Sequence, residues 1–376
     1  MKLRVNVVLL LVNLLSGCEV ESPQISITEP SAATRFLSGG ENSGYSRVLE
    51  SRPFVFPEYH CSHPDYRSEW WYFTGNLNNE TGRRYGFELT FFRFALAPSV
   101  AERSSAWGTN QAWMAHLSLT DGRAARFIAD ERFSRQAIGL AGNNLNPFLL
   151  RLEDWSVASS GPEFFPLKLT AGTDDGEIRL TLTAIKNPVA NGDDGLDQKG
   201  PEVGNASHYY SVTRLQASGE IRVGERTERV SGLAWMDREW GTSALSRNLE
   251  GWDWFALHLS DGRDLMYYQL RSNQGNASPY SSGTLVEADG RHRTLSPDEV
   301  SLTALDYWQS PASGAEYPVG WELAIPTEQI QLEIQPLIPH QELDLTVRYW
   351  EGAVIATSMA EEGSLSGRGY LELTGY

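Results

Sequence analysis

Ser68-Glu69-Trp70-Trp71-Tyr72-Phe73-Thr74-Gly75-Asn76-Leu77 and Tyr85-Gly86-Phe87-Glu88-Leu89-Thr90-Phe91-Phe92-Arg93 flank a polar break, Asn78-Asn79-Glu80-Thr81-Gly82. β-formers on either side of turn chemistry spell a β-hairpin. Trp71, Phe73 and Leu77 fall on one face of the first run, and Trp70, Tyr72 and Thr74 on the other, because side chains alternate along a strand. Aromatic residues on both faces imply a strand covered on both sides. The pattern recurs. Trp252-Asp253-Trp254-Phe255-Ala256-Leu257-His258-Leu259 aligns with Trp70 to Leu77, turns at Ser260-Asp261-Gly262-Arg263, and returns through Leu265-Met266-Tyr267-Tyr268-Gln269-Leu270-Arg271. Both copies end on an Arg. A weaker echo begins at Trp113-Met114-Ala115-His116. The repeat is too long for a solenoid unit and suggests two homologous domains in tandem. Chance similarity among hairpins of one β-protein is the plainer alternative, Asp-Gly turns being common.

The chain is long enough for two domains, and its 41% apolar and 11% aromatic content can fill both cores. A net charge of −17 argues against nucleic acid as a partner, since phosphate binding needs a positive footprint. Two cysteines, Cys18 and Cys61, make no disulfide framework.

Lys2 and Arg4, a short apolar run over 5–15, and Leu15-Ser16-Gly17-Cys18 read as a signal peptide over residues 1–17 ending in a bacterial lipobox, with Cys18 lipidated. An ordinary signal peptide with an incidental Cys is the alternative. Glu19 is not the Asp linked with inner-membrane retention, which favours the outer membrane, periplasmic face. Residues 18–50, rich in Ser, Gly, Pro, Glu and Thr, read as a flexible tether. Short strands are expected over 112–120, 125–128, 148–157, 165–171, 177–185, 207–217 and 219–223. Others are expected near 283–288, 319–325, 328–334, 343–350 and 369–374. Residues 190–204 read as a long exposed loop, and Pro297-Asp298-Glu299 as a turn. Many short strands and no helical periodicity predict an all-β chain of antiparallel barrels or sandwiches. The division predicted is 51–240 and 241–376.

Four stretches carry a family resemblance: Glu69-Trp70-Trp71-Tyr72; Tyr85 to Arg93; Ala234-Trp235-Met236-Asp237-Arg238-Glu239-Trp240-Gly241; and Gly251-Trp252-Asp253-Trp254-Phe255. In this order they resemble the AttH-like lipoproteins related to carotenoid 1,2-hydratase. The resemblance runs from about Phe54 to the C-terminus. It implies two tandem lipocalin-like barrels, and leaves an ABC-transporter permease open as a partner. The hydratase motifs His-x-Trp and Tyr-x-Asp correspond to His208-Tyr209-Tyr210 and Trp235-Met236-Asp237. His208 and Asp237 match; Tyr210 and Trp235 depart, aromatic for aromatic. By this resemblance Asp237, His208, Tyr210 and Trp235 are the candidate catalytic residues.

Hydrating an isolated double bond needs a neutral, partly buried carboxylic acid as proton donor and aromatic faces to stabilise the cation. Asp237, between Trp235 and Trp240, suits that role. The alternative makes Asp237, Arg238 and Glu239 a structural cluster at a domain junction. Trp70, Tyr72, Trp240, Trp252 and Trp254 are the candidate ligand-binding aromatics. His60-x-x-His63-x-Asp65 invites a metal reading, but residues three apart on a strand diverge and Pro64 opposes a helix, so no metal or other cofactor is expected. Glu88, within an apolar strand, needs a partner, for which Arg93 or Arg238 is available. Cys61 reads as a small buried hydrophobe. No nucleophile elbow, phosphate loop or dinucleotide fingerprint is present. Two functions follow: a lipid-anchored binder of one hydrophobic small molecule in a barrel mouth or lumen, or a hydratase-type enzyme. A protein-binding accessory subunit is a third.

Overall fold

The computed structural model describes residues 42–99, 104–242, 245–246, 248–359 and 365–376. The signal segment, Cys18 and most of the tether lie outside the described residues. The chain is nearly all β and forms two antiparallel sheets. The first contains β1 (Ser68–Asn78), β2 (Arg84–Ala95), β3 (Gln111–Asp121), β4 (Arg126–Arg135), β5 (Ala141–Asn144), β6 (Leu149–Leu152) and β7 (Trp155–Ser159). It continues with β8 (Leu167–Gly172), β9 (Gly176–Ala184), β10 (Val189–Ala190), β11 (Leu196–Gln198), β12 (Ala206–Val223) and β13 (Arg226–Gly241). The second contains β14 (Leu249–Leu259), β15 (Asp264–Ser272), β16 (Ser282–Val286), β17 (His292–Leu295), β18 (Ser301–Gln309) and β19 (Glu316–Ile325). It ends with β20 (Ile330–Pro336), β21 (Glu342–Leu343), β22 (Tyr349–Ser358) and β23 (Ser366–Leu373).

The two sheets share one plan. The strand order is β4-β3-β2-β1-β13-β12-β9-β8-β7-β6-β5 in the first and β17-β16-β15-β14-β23-β22-β20-β19-β18 in the second. In each, the opening strand pairs with the closing one, so the chain runs round a barrel whose ladder is open at a single seam. The first barrel is nearly closed and the second is a half-barrel. The repeated hairpins, β1–β2 and β14–β15, occupy the same place in the two plans. These are the two tandem lipocalin-like barrels that the resemblance implies, in the tandem arrangement the repeat suggests.

Alternation decides what each hairpin covers. Trp71, Phe73 and Leu77 point into the first barrel with Trp113, Trp155 and Phe87, all essentially inaccessible. Phe255, Leu257 and Leu259 point into the second with Trp321 and Trp350. Both interiors are packed with side chains, so the expectation of a ligand in a barrel lumen gives way. The opposite hairpin faces, with Tyr72, Trp254, Ala256 and Met266, meet each other in a separate apolar cluster between the barrels.

Segment 190–204 departs from the exposed loop predicted. β10 and β11 pair with β12, and Asn191, Asp197 and Lys199 are buried there. Local polarity misled because these side chains are paired across the barrel interface. The strand expected at 343–350 begins instead at Tyr349, since Glu131 of the first barrel holds the Thr346 amide and hydroxyl in a loop.

Close approach of the barrels depends on Gly86. A Cβ there would stand 2.7 Å from both the Ala353 Cβ and the Tyr370 hydroxyl. Gly86→Val is expected to destabilise by about 1–3 kcal/mol through overpacking. Thermal denaturation reads this as a lowered midpoint, and an unchanged midpoint refutes the close contact.

Candidate active site

A cavity open to solvent at its mouth lies between the barrels. Strand register builds its floor. One row runs Asp237, Tyr72, Thr90, His116 across β13, β1, β2 and β3. The next runs Glu239, Trp70, Phe92, Met114 across the same strands. All eight line the cavity. The first row is buried. Trp70 and Phe92 of the second are partly exposed, which puts that row nearer the mouth. The roof comes from the second barrel: Tyr268, Trp254 and Glu372 in one row, and Trp252 opposite Leu270 in the next.

Asp237 is held by three donors of the first barrel, and the second barrel braces those donors. The Trp235 indole N–H donates to Oδ1 at 2.7 Å and the Tyr209 hydroxyl to Oδ2 at 2.6 Å. The Trp254 indole N–H donates to the Tyr209 oxygen at 3.2 Å. Ser211 also donates to Oδ1, while itself accepting from Asn191 Nδ2 at 2.8 Å. Asn191 is fixed in turn by the Thr284 hydroxyl at 2.8 Å. Donors favour the carboxylate, but burial outweighs them and pushes the Asp237 pKa up to about 7.

A second acid shares the cavity. Glu372 stands opposite Trp254 in register, as Asp237 stands opposite Tyr72. Tyr72 and Trp254 are themselves the same position of the repeated hairpin, and their rings meet edge-on at 5.1 Å. Equivalent register positions of the two sheets thus put a carboxyl on each wall. Burial raises the Glu372 pKa to about 7 against hydrogen bonds from the Trp252 indole at 2.9 Å and from Glu351, with Glu239 and Asp237 adding repulsion. The carboxyl that shares a hydrogen bond with Glu372 is Glu351, whose pKa burial raises well above the ordinary range. Glu351 accepts from the Tyr72 hydroxyl at 2.6 Å. Lys199, also in the wall, lies 2.5 Å from Asp197 and 3.5 Å from Glu239, and 4.0 Å from the Tyr268 ring centre.

The predicted site residues divide by face. Trp70, Tyr72, Trp252, Trp254 and Asp237 line the cavity, and Trp235 orients Asp237 from beside it. His208, Tyr210 and Trp240 do not reach it. Tyr209 takes the interface face of β12, so His208 and Tyr210 point into the first barrel. Trp240 is likewise one residue out of phase with Asp237 and Glu239. His208 packs by Trp240, with ring centres 5.4 Å apart, and Tyr210 bonds the His60 Nδ1 at 2.6 Å. Pairing of His208 with Asp237 is thereby corrected: Tyr209 is the residue of that motif that touches the acid. Sequence reading missed Glu372, Lys199 and Tyr209. Alternation alone could not single out Tyr209, because the pairing register of β12 on β13 sets which of its residues share a face with Asp237.

Glu88 also departs from expectation. Arg93 and Arg238 both serve Glu69, on the other face of the sheet. Glu88 instead faces the Thr90 and Ser118 hydroxyls, and burial raises its pKa to about 8. His60 and His63 meet different partners, Tyr210 and Glu69. The raised carboxyls have a stability consequence. Groups protonated in the fold but ionised in the unfolded chain stabilise at low pH, and that contribution fades as pH rises through about 7–8. The melting temperature is expected to fall between pH 6 and pH 9. Glu88→Gln should raise it at pH 9 and flatten the profile; an unaltered profile contradicts the neutral Glu88.

Residues 47–376 match the family model described as AttH-like. The chain belongs to the AttH-like family. A crystal structure from Nitrosomonas europaea described as an AttH is 33% identical, with a TM-score of 0.77 over 88% of this chain and 99% of that one. Kievitone hydratase from Nectria haematococca is 15% identical, with a TM-score of 0.64 over 88% of this chain and 97% of that one. CghA, crystallised with Sch210972, is 12% identical, with a TM-score of 0.52 over 89% and 97% of the two chains. The latter two share the fold with this AttH-like chain. No curated protein matches it by sequence.

Proposed function

We propose that this AttH-like protein binds a hydrophobic small molecule between its barrels and adds water to an alkene of it, with Asp237 as proton donor. The observation that carries the reading is one buried carboxyl, held near neutrality by its surroundings, in the wall of an aromatic-lined cavity. The proton of Asp237 passes to one alkene carbon, and the π pair forms the new C–H bond. The cation left on the other carbon faces the Trp70, Trp252 and Trp254 rings. A water oxygen bonds to that carbon, and the surplus proton goes to whichever of Asp237 and Glu372 is ionised. No cofactor is needed for this balance. A protein with the same fold, kievitone hydratase, makes a hydration reading apt. Incubation with a prenyl alkene in heavy-oxygen water tests it: labelled alcohol is the result expected, and its absence across isoprenoid alkenes refutes the reaction.

The second reading is a carrier that binds without chemistry, favoured by the apolar character of Trp70, Phe92, Leu245, Leu270 and Met114 in the lining. For either reading we propose a lipid anchor on Cys18, which would keep the cavity near a membrane that stores such molecules. Cys18→Ser should release the protein to the soluble fraction or leave it unprocessed; unchanged membrane attachment sinks the anchor.

A further inference from the structure

We infer that the cavity takes an elongated amphiphile, with its alkene at the Asp237 end and a hydroxyl or carbonyl oxygen at the Thr90–His116 end. The inference rests on the acid-catalysed reading above and adds the substrate's second functional group. The deep row Asp237, Tyr72, Thr90, His116 crosses four adjacent strands. Three inter-strand steps of roughly 4.8 Å make its length about 14 Å. An extended covalent chain advances roughly 3.5 Å in three bonds, so about twelve bonds span the row.

The far end holds polar atoms that make no hydrogen bond of ordinary geometry. His116 is fully buried, and its Nδ1 is bonded to the Tyr349 hydroxyl at 2.7 Å. Its Nε2 has no hydrogen bond. The nearest charged group to it, Glu131, stands 3.8 Å away, beyond bonding range, and is engaged by Thr346. The Thr90 hydroxyl, also buried and in the cavity wall, faces Glu88 but makes no bond of ordinary geometry. Buried polar groups are nearly always satisfied, and orphans lining a cavity point to a ligand atom that completes them. Burial keeps the imidazole neutral, with its pKa lowered to about 3. A neutral imidazole and a hydroxyl suit an uncharged oxygen and offer no counter-charge to a carboxylate or phosphate. Between the two ends the neighbouring row presents Trp70 and Phe92 to an apolar chain.

Farnesol has an alkene and a hydroxyl about this far apart. It can be compared, by quenching of the cavity tryptophans, with the hydrocarbon of the same carbon skeleton. Farnesol should bind the wild-type protein roughly five- to tenfold more tightly, the gain of one or two hydrogen bonds. Thr90→Val, nearly isosteric, should remove most of that preference by lowering farnesol affinity more than hydrocarbon affinity. The ligand-side comparison needs no variant, so it stands even where a substitution harms folding. Equal wild-type affinities, no binding of farnesol, or equal losses for both ligands in Thr90→Val overturn the inference. Farnesol preference without any hydrated product keeps it and sinks the acid-catalysed reading. Hydration of both compounds at equal affinity does the reverse.

Discussion

Asp237→Asn is expected to lower turnover of a bound alkene by roughly two or more powers of ten, the contribution of a positioned general acid. Affinity should change little. The amide oxygen can still accept from the Trp235 indole and the Ser211 hydroxyl. The new N–H can donate to the Tyr209 oxygen, whose own proton then needs another acceptor. Only the transferable proton is lost. In the wild-type protein the donor must be protonated, so kcat/KM should decline as pH rises above about 7. Glu372→Gln removes a neighbouring negative charge and should move that decline to lower pH, the sign expected of two carboxyls that repel. Undiminished turnover in Asp237→Asn places the donor elsewhere. Lost binding together with a lowered melting temperature makes Asp237 a structural residue and leaves the carrier reading.

Glu69→Gln should produce the largest loss of stability, with no comparable effect on the chemistry. Glu69, Arg93 and Arg238 are fully buried at one end of the first barrel. Both guanidinium groups close on the one carboxylate, which also accepts the His63 amide at 2.9 Å. Arg238 reaches the Cys61 carbonyl at 2.6 Å and lies 3.7 Å from the Trp71 ring centre. Burial alone would raise the Glu69 pKa. The two cations and the His63 contact overcome it and hold the carboxyl well below its ordinary range. Neutralising it strands two buried cations, at a cost of about 3–5 kcal/mol. At a few degrees per kcal/mol, this lowers the melting temperature by roughly 10 °C. The sign with pH is the reverse of that for Glu88. A depressed carboxyl stabilises at neutral pH, and the contribution fades as pH falls below the unfolded value of about 4.5. The variant should therefore lose part of the wild-type acid sensitivity. An unchanged melting temperature is incompatible with the clamp. Glu69 and Asp237 sit on adjacent strands but on opposite faces, so comparing the variants separates the barrel's own stability from the function of the interface.

The alternating aromatic hairpin and its repeat determined the fold class, because period-two patterning with turn residues is a local property of the chain. The same alternation separated Trp71 and Phe73 from Trp70 and Tyr72, and the repeat singled out Trp252 and Trp254 as their counterparts. Asp237 stood out as an acid among indoles. Sequence could not tell which face meets a barrel interior and which meets the other barrel, since both carry aromatics. His208, Tyr210 and Trp240 therefore read as partners of Asp237 although they point away from it. Lys199 looked solvated because, beyond its near neighbour Asp197, its partners Glu239 and Tyr268 arrive from distant strands. Glu372 was hidden for a related reason. It matches Asp237 through pairing register, and the second repeat reaches its closing strand by a shorter path, so linear spacing does not align them. Which side chains share a cavity is set by how two curved sheets stack, and that packing is decided between residues far apart in the chain.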